Sequence, residues 1–143
     1  FFGIVPVCIP YYIQLHTCTW QTFLASLACG IVIDALLIVN NYRDRDTDRD
    51  AGKQTIIVRW GAKAGQIIYL GTGITASLIG IIFWINGHIL AFIMPFIYLI
   101  MHYFTYLKIK RIDRGKALNM CLSDTARNIL IYGLTVTIGV ILV

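Results

Sequence analysis

The 143-residue chain is far more apolar than a soluble domain, with 58% hydrophobic residues, 13% charged residues and a mean hydropathy of +0.75. Soluble domains carry about 25% charged residues, and disordered chains combine low hydrophobicity with high charge. The composition therefore excludes a disordered chain, argues against a soluble enzyme and predicts a membrane protein. The net charge is +5, but the basic residues do not lie on a soluble domain that could bind nucleic acid, so we expect no nucleic-acid partner.

The opening run, Phe1–Leu15, is too short to span a bilayer and contains Pro6 and Pro10. It predicts the remainder of a truncated helix, because each proline removes a backbone donor. The chain opens inside this apolar run without an initiator Met, so we expect it to be part of a longer protein.

Four later segments are long and apolar enough to cross a bilayer, which takes about 20 residues. The predicted spans are 20–41, 64–85, 88–107 and 124–143. They predict an all-α, polytopic membrane helix bundle with four full transmembrane helices.

The basic residues mark the orientation of this bundle. Eleven of the 12 Lys and Arg residues fall in two connecting loops, 42–63 and 108–123. Connectors 14–19 and 86–87 contain none. Because Lys and Arg are enriched in cytoplasmic loops, both basic loops are predicted on the cytoplasmic side.

The first basic loop is also rich in aspartate. Four of the seven acidic residues lie within seven positions, at Asp44, Asp46, Asp48 and Asp50. If the preceding helix continues, Asp44 and Asp48 lie on one face, at i and i+4. Such a pair can hold Mg²⁺ with water and phosphate oxygens, and nearby cations can neutralise the rest of a diphosphate. The alternative is a salt-bridged turn, since surface ion pairs contribute only about 0–1 kcal/mol each.

At this point a family resemblance becomes specific. The pattern resembles the second Asp-rich motif of the UbiA-type intramembrane prenyltransferases, and its Asn-Asn-x-Arg-Asp opening resembles the 1,4-dihydroxy-2-naphthoate polyprenyltransferase branch. The matching residues are Asn40-Asn41-x-Arg43-Asp44-x-x-x-Asp48-Arg49-x-x-Gly52-Lys53-x-Thr55-x-x-x-Arg59-x-Gly61. The run Gly115-Lys116-Ala117-Leu118-Asn119, followed by Thr125-Ala126, resembles the same branch.

This resemblance implies a nine-helix bundle, of which the chain would form about the C-terminal half. It implies Mg²⁺-dependent transfer of a polyprenyl group from polyprenyl diphosphate to 1,4-dihydroxy-2-naphthoate, giving demethylmenaquinone in menaquinone biosynthesis. The implied setting is the lipid of a bacterial inner membrane, with the Asp-rich loop on the cytoplasmic side. The remaining partners would be the N-terminal helices of the same protein, without which we expect the chain to be inactive.

By the same resemblance, Asp44 and Asp48 are the metal ligands and the catalytic residues. The implied substrate- and diphosphate-binding residues are Asn40, Asn41, Arg43, Arg49, Lys53, Arg59 and Asn119. Asp34, alone in an apolar span, can line the same cavity as Asn41, two turns away. A hydrogen-bonded structural carboxylate is the equal alternative.

Two positions depart from the family pattern. Position 45 is usually aliphatic and position 54 usually basic, whereas this chain has Arg45 and Gln54, interpreted as local variation. The family's first Asp-rich motif does not occur upstream of residue 40. A 4-hydroxybenzoate or other aromatic polyprenyltransferase remains an alternative, as does a non-catalytic helical membrane subunit or transporter fragment.

Overall fold

The computed structural model describes residues 1–142, which form α-helices joined by short connectors. The helices are α1 (Ile4–Leu15), α2 (Trp20–Arg43), α3 (Arg45–Asp50), α4 (Ile56–Ile79), α5 (Ile81–Ile85), α6 (Ile89–Ile93), α7 (Phe96–Ile112) and α8 (Asn119–Ile141). A 3₁₀ turn, Lys116–Leu118, precedes α8. Within the described residues there is no strand, which confirms the all-α prediction. Val143, the last residue of the fourth predicted span, lies outside the described residues.

Three helical stretches are long and apolar enough to cross a membrane, and they correspond to the first three predicted spans. They are Trp20–Arg43, Ile56–Ile85 and Ile89–Ile112. The fourth predicted span lies in α8, whose first half carries Asp124 and Arg127. These charges lower the apolarity of α8, which is not among the three, and its crossing of the membrane stays a prediction.

Local backbone signals set where the helices begin and bend. The Thr55 hydroxyl caps α4 by accepting a hydrogen bond from the Val58 N–H at 3.3 Å. Gly61 has φ 86°, ψ 169° and kinks α4 near its start. Pro95 separates α6 from α7 within the third span, because proline lacks the N–H that an unbroken helix needs.

The two charged segments predicted as loops are largely helical. Within residues 42–63, α3 lies wholly inside the segment and α4 begins at Ile56. Within residues 108–123, α7 ends at Ile112 and α8 begins at Asn119. An apolar pattern marks only the lipid-facing length of a helix, whereas its hydrogen bonding can continue beyond the membrane. The boundaries drawn from hydropathy are therefore too short.

Helix α2 is the centre of the bundle and packs against α1, α4 and α8. Val39, Tyr42 and Tyr69 belong to one buried cluster. Val32 and Tyr98 belong to a second cluster, which lies nearer the start of α2. Small residues at the helix interfaces allow the backbones of neighbouring helices to approach closely. The packing leaves α3 and the connector after α7 together at one end of the bundle.

We call this end, formed by α3 and residues 113–118, the charged end. An ion pair of 3.2 Å between Arg45 and Asp113 joins its two parts. At the opposite end, the side chains of Gln21 and Asn86 are hydrogen-bonded at 3.3 Å. The two basic segments therefore share one end of the bundle, as their charges predict.

Candidate functional site

The Asp-rich segment forms a short helix at the charged end, and its two key carboxylates are one turn apart. Asp44 lies between α2 and α3, and its carbonyl accepts a hydrogen bond from the Asp48 N–H at 2.8 Å. This is the i, i+4 spacing that the sequence predicts. The Asp48 side chain is only 9% exposed, whereas that of Asp44 is 34% exposed.

A glycine turn after α3 brings Lys53 back onto Asp48. The Lys53 N–H donates to the Asp48 carbonyl at 2.8 Å, and the Gly52 N–H donates to the Arg49 carbonyl at 3.0 Å. This pair of hydrogen bonds is a Schellman motif, which requires a left-handed residue. Gly52, with φ 74°, supplies that conformation. The Lys53 ammonium then lies 2.9 Å from Asp48 Oδ1.

Arg43 holds Asp44 in a two-pronged ion pair. Its Nε and Nη2 each lie 2.7 Å from a different carboxylate oxygen of Asp44. The remaining donor capacity reaches Asn40 Oδ1 at 2.8 Å and Asn119 Oδ1 at 2.9 Å. A planar guanidinium suits such bidentate recognition of an oxyanion. Arg43 therefore connects the end of α2 to the start of α8, and its guanidinium is of a kind that also binds anions.

Both predicted metal ligands are thus neutralised by a predicted diphosphate-binding cation. The hydrogen bonds from Arg43 hold the pKa of Asp44 below its ordinary value. The hydrogen bond to Asp48 raises the pKa of Lys53 above its ordinary value. In both cases the contact favours the charged form. The site therefore holds two carboxylates, each paired with one cation.

The connector between α7 and α8 lies beside this charged cluster and lines an open cavity with it. The cavity has a volume of about 380 Å³ and is lined by Arg43, Asp44, Thr47, Gly115, Lys116 and Asn119. Lys116 lines the same cavity as the Arg43–Asp44 pair, so a further basic residue belongs to this site.

A larger apolar cavity begins beside the same cluster. Its volume is about 610 Å³, and Asn40 belongs to its lining. The other lining residues are mostly apolar: Phe2, Ile33, Asp34, Leu36, Leu37, Leu122, Ser123 and Ala126. Because Asn40 also accepts a hydrogen bond from Arg43, the apolar cavity lies next to the charged cluster.

The structure brings six of the nine predicted site residues into two sets of contacts and leaves the other three outside both. Asn40, Arg43, Asp44 and Asn119 form one set of contacts, and Asp48 and Lys53 form a second. Asn41 lines a separate cavity of about 280 Å³ together with Asp34, as their spacing predicts. Arg49 reaches only Asp46, at 3.8 Å, and Arg59 is exposed at the start of α4, outside these contacts.

Sequence reasoning missed several residues at this site. Lys116 and Thr47 line the 380 Å³ cavity, although neither was predicted to bind anything. The Gly115-Lys116 run within the family resemblance was the signal for Lys116. Arg45, interpreted as local variation, is 3% exposed and contacts Asp113. No local pattern predicts that burial.

The donor set fits a magnesium ion shared with a phosphate group. Within residues 1–142, no cluster of three or more His, Cys, Asp or Glu side chains could hold a metal ion. The chain offers the Asp44 and Asp48 carboxylates instead. Mg²⁺ is usually bound by one or two carboxylates, with phosphate oxygens and water as the other ligands. The pair suits that arrangement and does not form a closed, all-protein site.

Comparison with known proteins identifies the family of the chain. The profile of the UbiA prenyltransferase family matches residues 1–122, which is most of the chain. The chain belongs to the UbiA prenyltransferase family. The matched range contains the whole charged end, including α3 and the connector that ends before α8.

The curated relatives that match this chain share one enzyme name. A 1,4-dihydroxy-2-naphthoate octaprenyltransferase of Escherichia coli K12 is 43% identical over 61 residues, covering 43% of this chain and 20% of the relative. The enzyme of the same name from Haemophilus influenzae is 38% identical over 69 residues, covering 48% and 22%. That of Bacillus subtilis is 29% identical over 85 residues, covering 59% and 26%.

These matches span about a fifth to a quarter of each relative's length. No solved structure gives a significant match to the chain. The family and the membrane bundle therefore rest on the profile match and the helices, and the activity of the whole protein is a proposal.

Proposed function

We propose that this UbiA-family chain provides one side of the active site of a Mg²⁺-dependent polyprenyltransferase that acts on 1,4-dihydroxy-2-naphthoate. The observation that carries the proposal is the charged cluster in which Arg43 and Lys53 each pair with one carboxylate, Asp44 or Asp48, beside an apolar cavity. The naphthoate acceptor follows the name of the relatives in Escherichia coli and Haemophilus influenzae.

The proposed donor is a polyprenyl diphosphate, because its two parts fit the two neighbouring cavities. The charged diphosphate suits the cavity beside Arg43, Asp44 and Lys116. The isoprenoid chain suits the apolar cavity that begins at Asn40. In the proposed reaction the bond between the allylic carbon and the diphosphate oxygen breaks. The aromatic ring forms a bond to that carbon and loses its carboxyl group as carbon dioxide.

Mg²⁺ bound at Asp44 and Asp48 would stabilise the negative charge that grows on the leaving diphosphate. The chain's own cations would share that task. Arg43 and Lys53 are both paired with carboxylates in the structure. We propose that both side chains can turn from these carboxylates to contact diphosphate oxygens. Positioned cations of this kind lower the barrier where charge develops.

The proposed location is a bacterial inner membrane, with the charged end on the cytoplasmic side and lipid around the helices. The three apolar helical stretches support the membrane location. Clustering of the basic residues at one end supports the orientation. The helices that complete the bundle would belong to the same protein.

The direct test is transfer by the full-length protein in proteoliposomes. We expect prenylation of 1,4-dihydroxy-2-naphthoate from a polyprenyl diphosphate in the presence of Mg²⁺, measured by chromatography of the lipid product. We expect 4-hydroxybenzoate to be a much poorer acceptor, and chelation of Mg²⁺ to stop the reaction. Equal use of the two acceptors would contradict the naphthoate assignment, and full activity in chelator would contradict the metal assignment.

A further inference from the structure

Arg45 is a buried cation at the junction of α2, α3 and the connector after α7. Its side chain is 4% exposed, and its Nη1 donates to the Tyr42 carbonyl at 3.0 Å and to the Asp113 carbonyl at 2.6 Å. Its Nη2 lies 3.2 Å from Asp113 Oδ1. One side chain at the start of α3 thus contacts both the backbone and the carboxylate of the residue that follows α7.

Tyr42 supports the same junction from α2. The Arg45 guanidinium lies 4.4 Å from the centre of the Tyr42 ring, in cation–π geometry. The Tyr42 hydroxyl donates to Asp113 Oδ1 at 2.7 Å and accepts a hydrogen bond from Gln66 of α4 at 2.8 Å. We call Arg45, Tyr42, Asp113 and Gln66 the latch. It joins α2, α3, α4 and the connector after α7.

The latch controls where that connector lies. Asp113 has φ 56°, a left-handed conformation that is unfavourable for a residue other than glycine. The contacts with Arg45 and Tyr42 compensate for that strain. Lys116 and Asn119 follow three and six residues later, and both line the cavity beside Arg43 and Asp44. Moving Asp113 therefore moves the far wall of the cavity.

We propose that Arg45 is a positioning residue for diphosphate binding, acting through Asp113 to hold Lys116 and Asn119 against the Asp-rich helix. The proposal rests on the proposed function only for its kinetic consequence. The structural consequence, a connector fixed over α3, is independent of the reaction.

An aliphatic residue at position 45 cannot replace these contacts. It would remove the Arg45 ion pair from Asp113, whose side chain is 49% exposed, and two carbonyl oxygens would lose a charged donor. The loss is largest at the Tyr42 carbonyl, because its hydrogen bond with Arg45 is buried and an unpaired buried acceptor is costly. Lysine would restore the charge but not the forked geometry that contacts the carbonyls and the carboxylate together. The expected order is therefore Arg45, then Arg45→Lys, then Arg45→Leu.

The geometric test uses a cysteine pair at Thr47 and Lys116, which line one cavity, in full-length protein whose native cysteines are replaced. We expect a short bifunctional thiol reagent to join the pair readily with Arg45 and roughly tenfold more slowly with Arg45→Leu. Arg111→Leu is the matched control, because Arg111 is exposed on α7. An unchanged rate in Arg45→Leu would overturn the latch.

The kinetic test separates positioning from general damage. We expect Arg45→Leu to raise KM for polyprenyl diphosphate by about tenfold, with kcat and the acceptor KM changed less than about threefold. Arg45→Lys should recover part of the loss. Asp113→Asn, which keeps the shape of the side chain, should raise the same KM if Arg45→Leu protein does not fold. Equal losses with all substrates, or no loss in Asp113→Asn, would overturn the positioning role.

The two tests separate this proposal from the proposed function. If the unmodified protein transfers no prenyl group while cross-linking still depends on Arg45, the function is wrong and the latch is correct. If transfer is normal and neither the cross-linking rate nor the KM for polyprenyl diphosphate changes in Arg45→Leu, the latch is wrong and the proposed function stands.

Discussion

Lys53 and Asp48 form a 2.9 Å ion pair across the turn that ends α3, and the turn itself is closed by the backbone of the same two residues. The lysine side chain is 66% exposed and the carboxylate 9% exposed. The contact therefore joins a solvent-exposed cation to a fixed carboxylate. Such a pair can open for a ligand without disturbing the helix.

The Gly52 turn should be needed for this pair. Gly52 has φ 74°, and a Cβ added there would have no atom within 4 Å, so Gly52→Ala adds backbone strain without a collision. A left-handed non-glycine residue costs about 1–2 kcal/mol. We expect KM for polyprenyl diphosphate to rise by about fivefold. Steady-state kinetics over a range of diphosphate concentrations measures this change.

Gly133→Ala is the matched control for that substitution. Gly133 lies within α8 and also has no atom within 4 Å of an added Cβ, but its backbone is helical. Alanine there should be neutral or stabilise the helix by about 0.5–1 kcal/mol. A similar KM increase in both variants would show that the turn has no special role.

The two carboxylates at i and i+4 should be essential, while their neighbour should not. We expect Asp44→Ala and Asp48→Ala each to lower transfer by a factor on the order of 10² or more, as for loss of a preorganised charge-stabilising group. Asp50→Ala, at an exposed position of the same helix, should be much milder. Product formation at saturating Mg²⁺ measures all three, and near-normal turnover by both first variants would refute the metal pair.

The Arg43–Asp44 pair should contribute stability that disappears in acid. Arg43 lowers the pKa of Asp44, so the contribution is complete above the unfolded value of about 3.9 and is lost as pH falls through the folded value. Arg43→Gln should therefore lower Tm by a constant amount above about pH 5, with the difference shrinking below about pH 4. Thermal unfolding in detergent from about pH 3 to pH 7 measures it. Arg111→Gln should show no such trend.

The orientation of the charged end can be tested by cysteine labelling. In a background without the native cysteines, we expect probes at Gln54 and Ala117 to react only from the cytoplasmic side. A probe at Asn86, which lies at the opposite end with Gln21, should react only from outside. Reaction of Gln54 and Asn86 from the same side would contradict the topology.

Local features of the charged end are predictable because they depend on residues near one another in sequence. The Asp44–Asp48 spacing follows from helical periodicity, and the turn follows from Gly52 before Lys53. Pro95 likewise predicts a break in the third span. These features need no knowledge of the rest of the fold.

Long-range features were not predictable in the same way. Arg45 is buried by Asp113, which lies 68 positions away in sequence. The contact between Arg43 and Asn119 spans 76 positions. Both the burial of Arg45 and the Arg43–Asn119 contact depend on where the connector after α7 lies. That position is set by the packing of the helices against one another. Arg49 and Arg59 were predicted as site residues from the motif alone, and the fold does not place their side chains against the Arg43–Asp44 or Asp48–Lys53 pair.

Residues 1–143 on their own do not form a closed site. Their charged cluster is half open: the Lys53 side chain is 66% exposed and that of Asp44 is 34% exposed. The apolar cavity beside it is itself open and includes Asp34, an exposed acid on α2, in its lining. A reacting allylic carbon at this surface would meet water before an aromatic ring, since carbocation-like chemistry needs a site that excludes water.

We therefore expect residues 1–143 alone, in detergent or in a bilayer, to give no transfer to 1,4-dihydroxy-2-naphthoate. The chain should still bind Mg²⁺ and diphosphate weakly, and Asp48→Ala should abolish that binding while Asp50→Ala leaves it unchanged. Co-expression with the proposed N-terminal helices should restore some product. Chromatography with and without those helices measures the difference. Robust transfer by residues 1–143 alone would show that one Asp-rich segment and an open cavity are sufficient for the reaction.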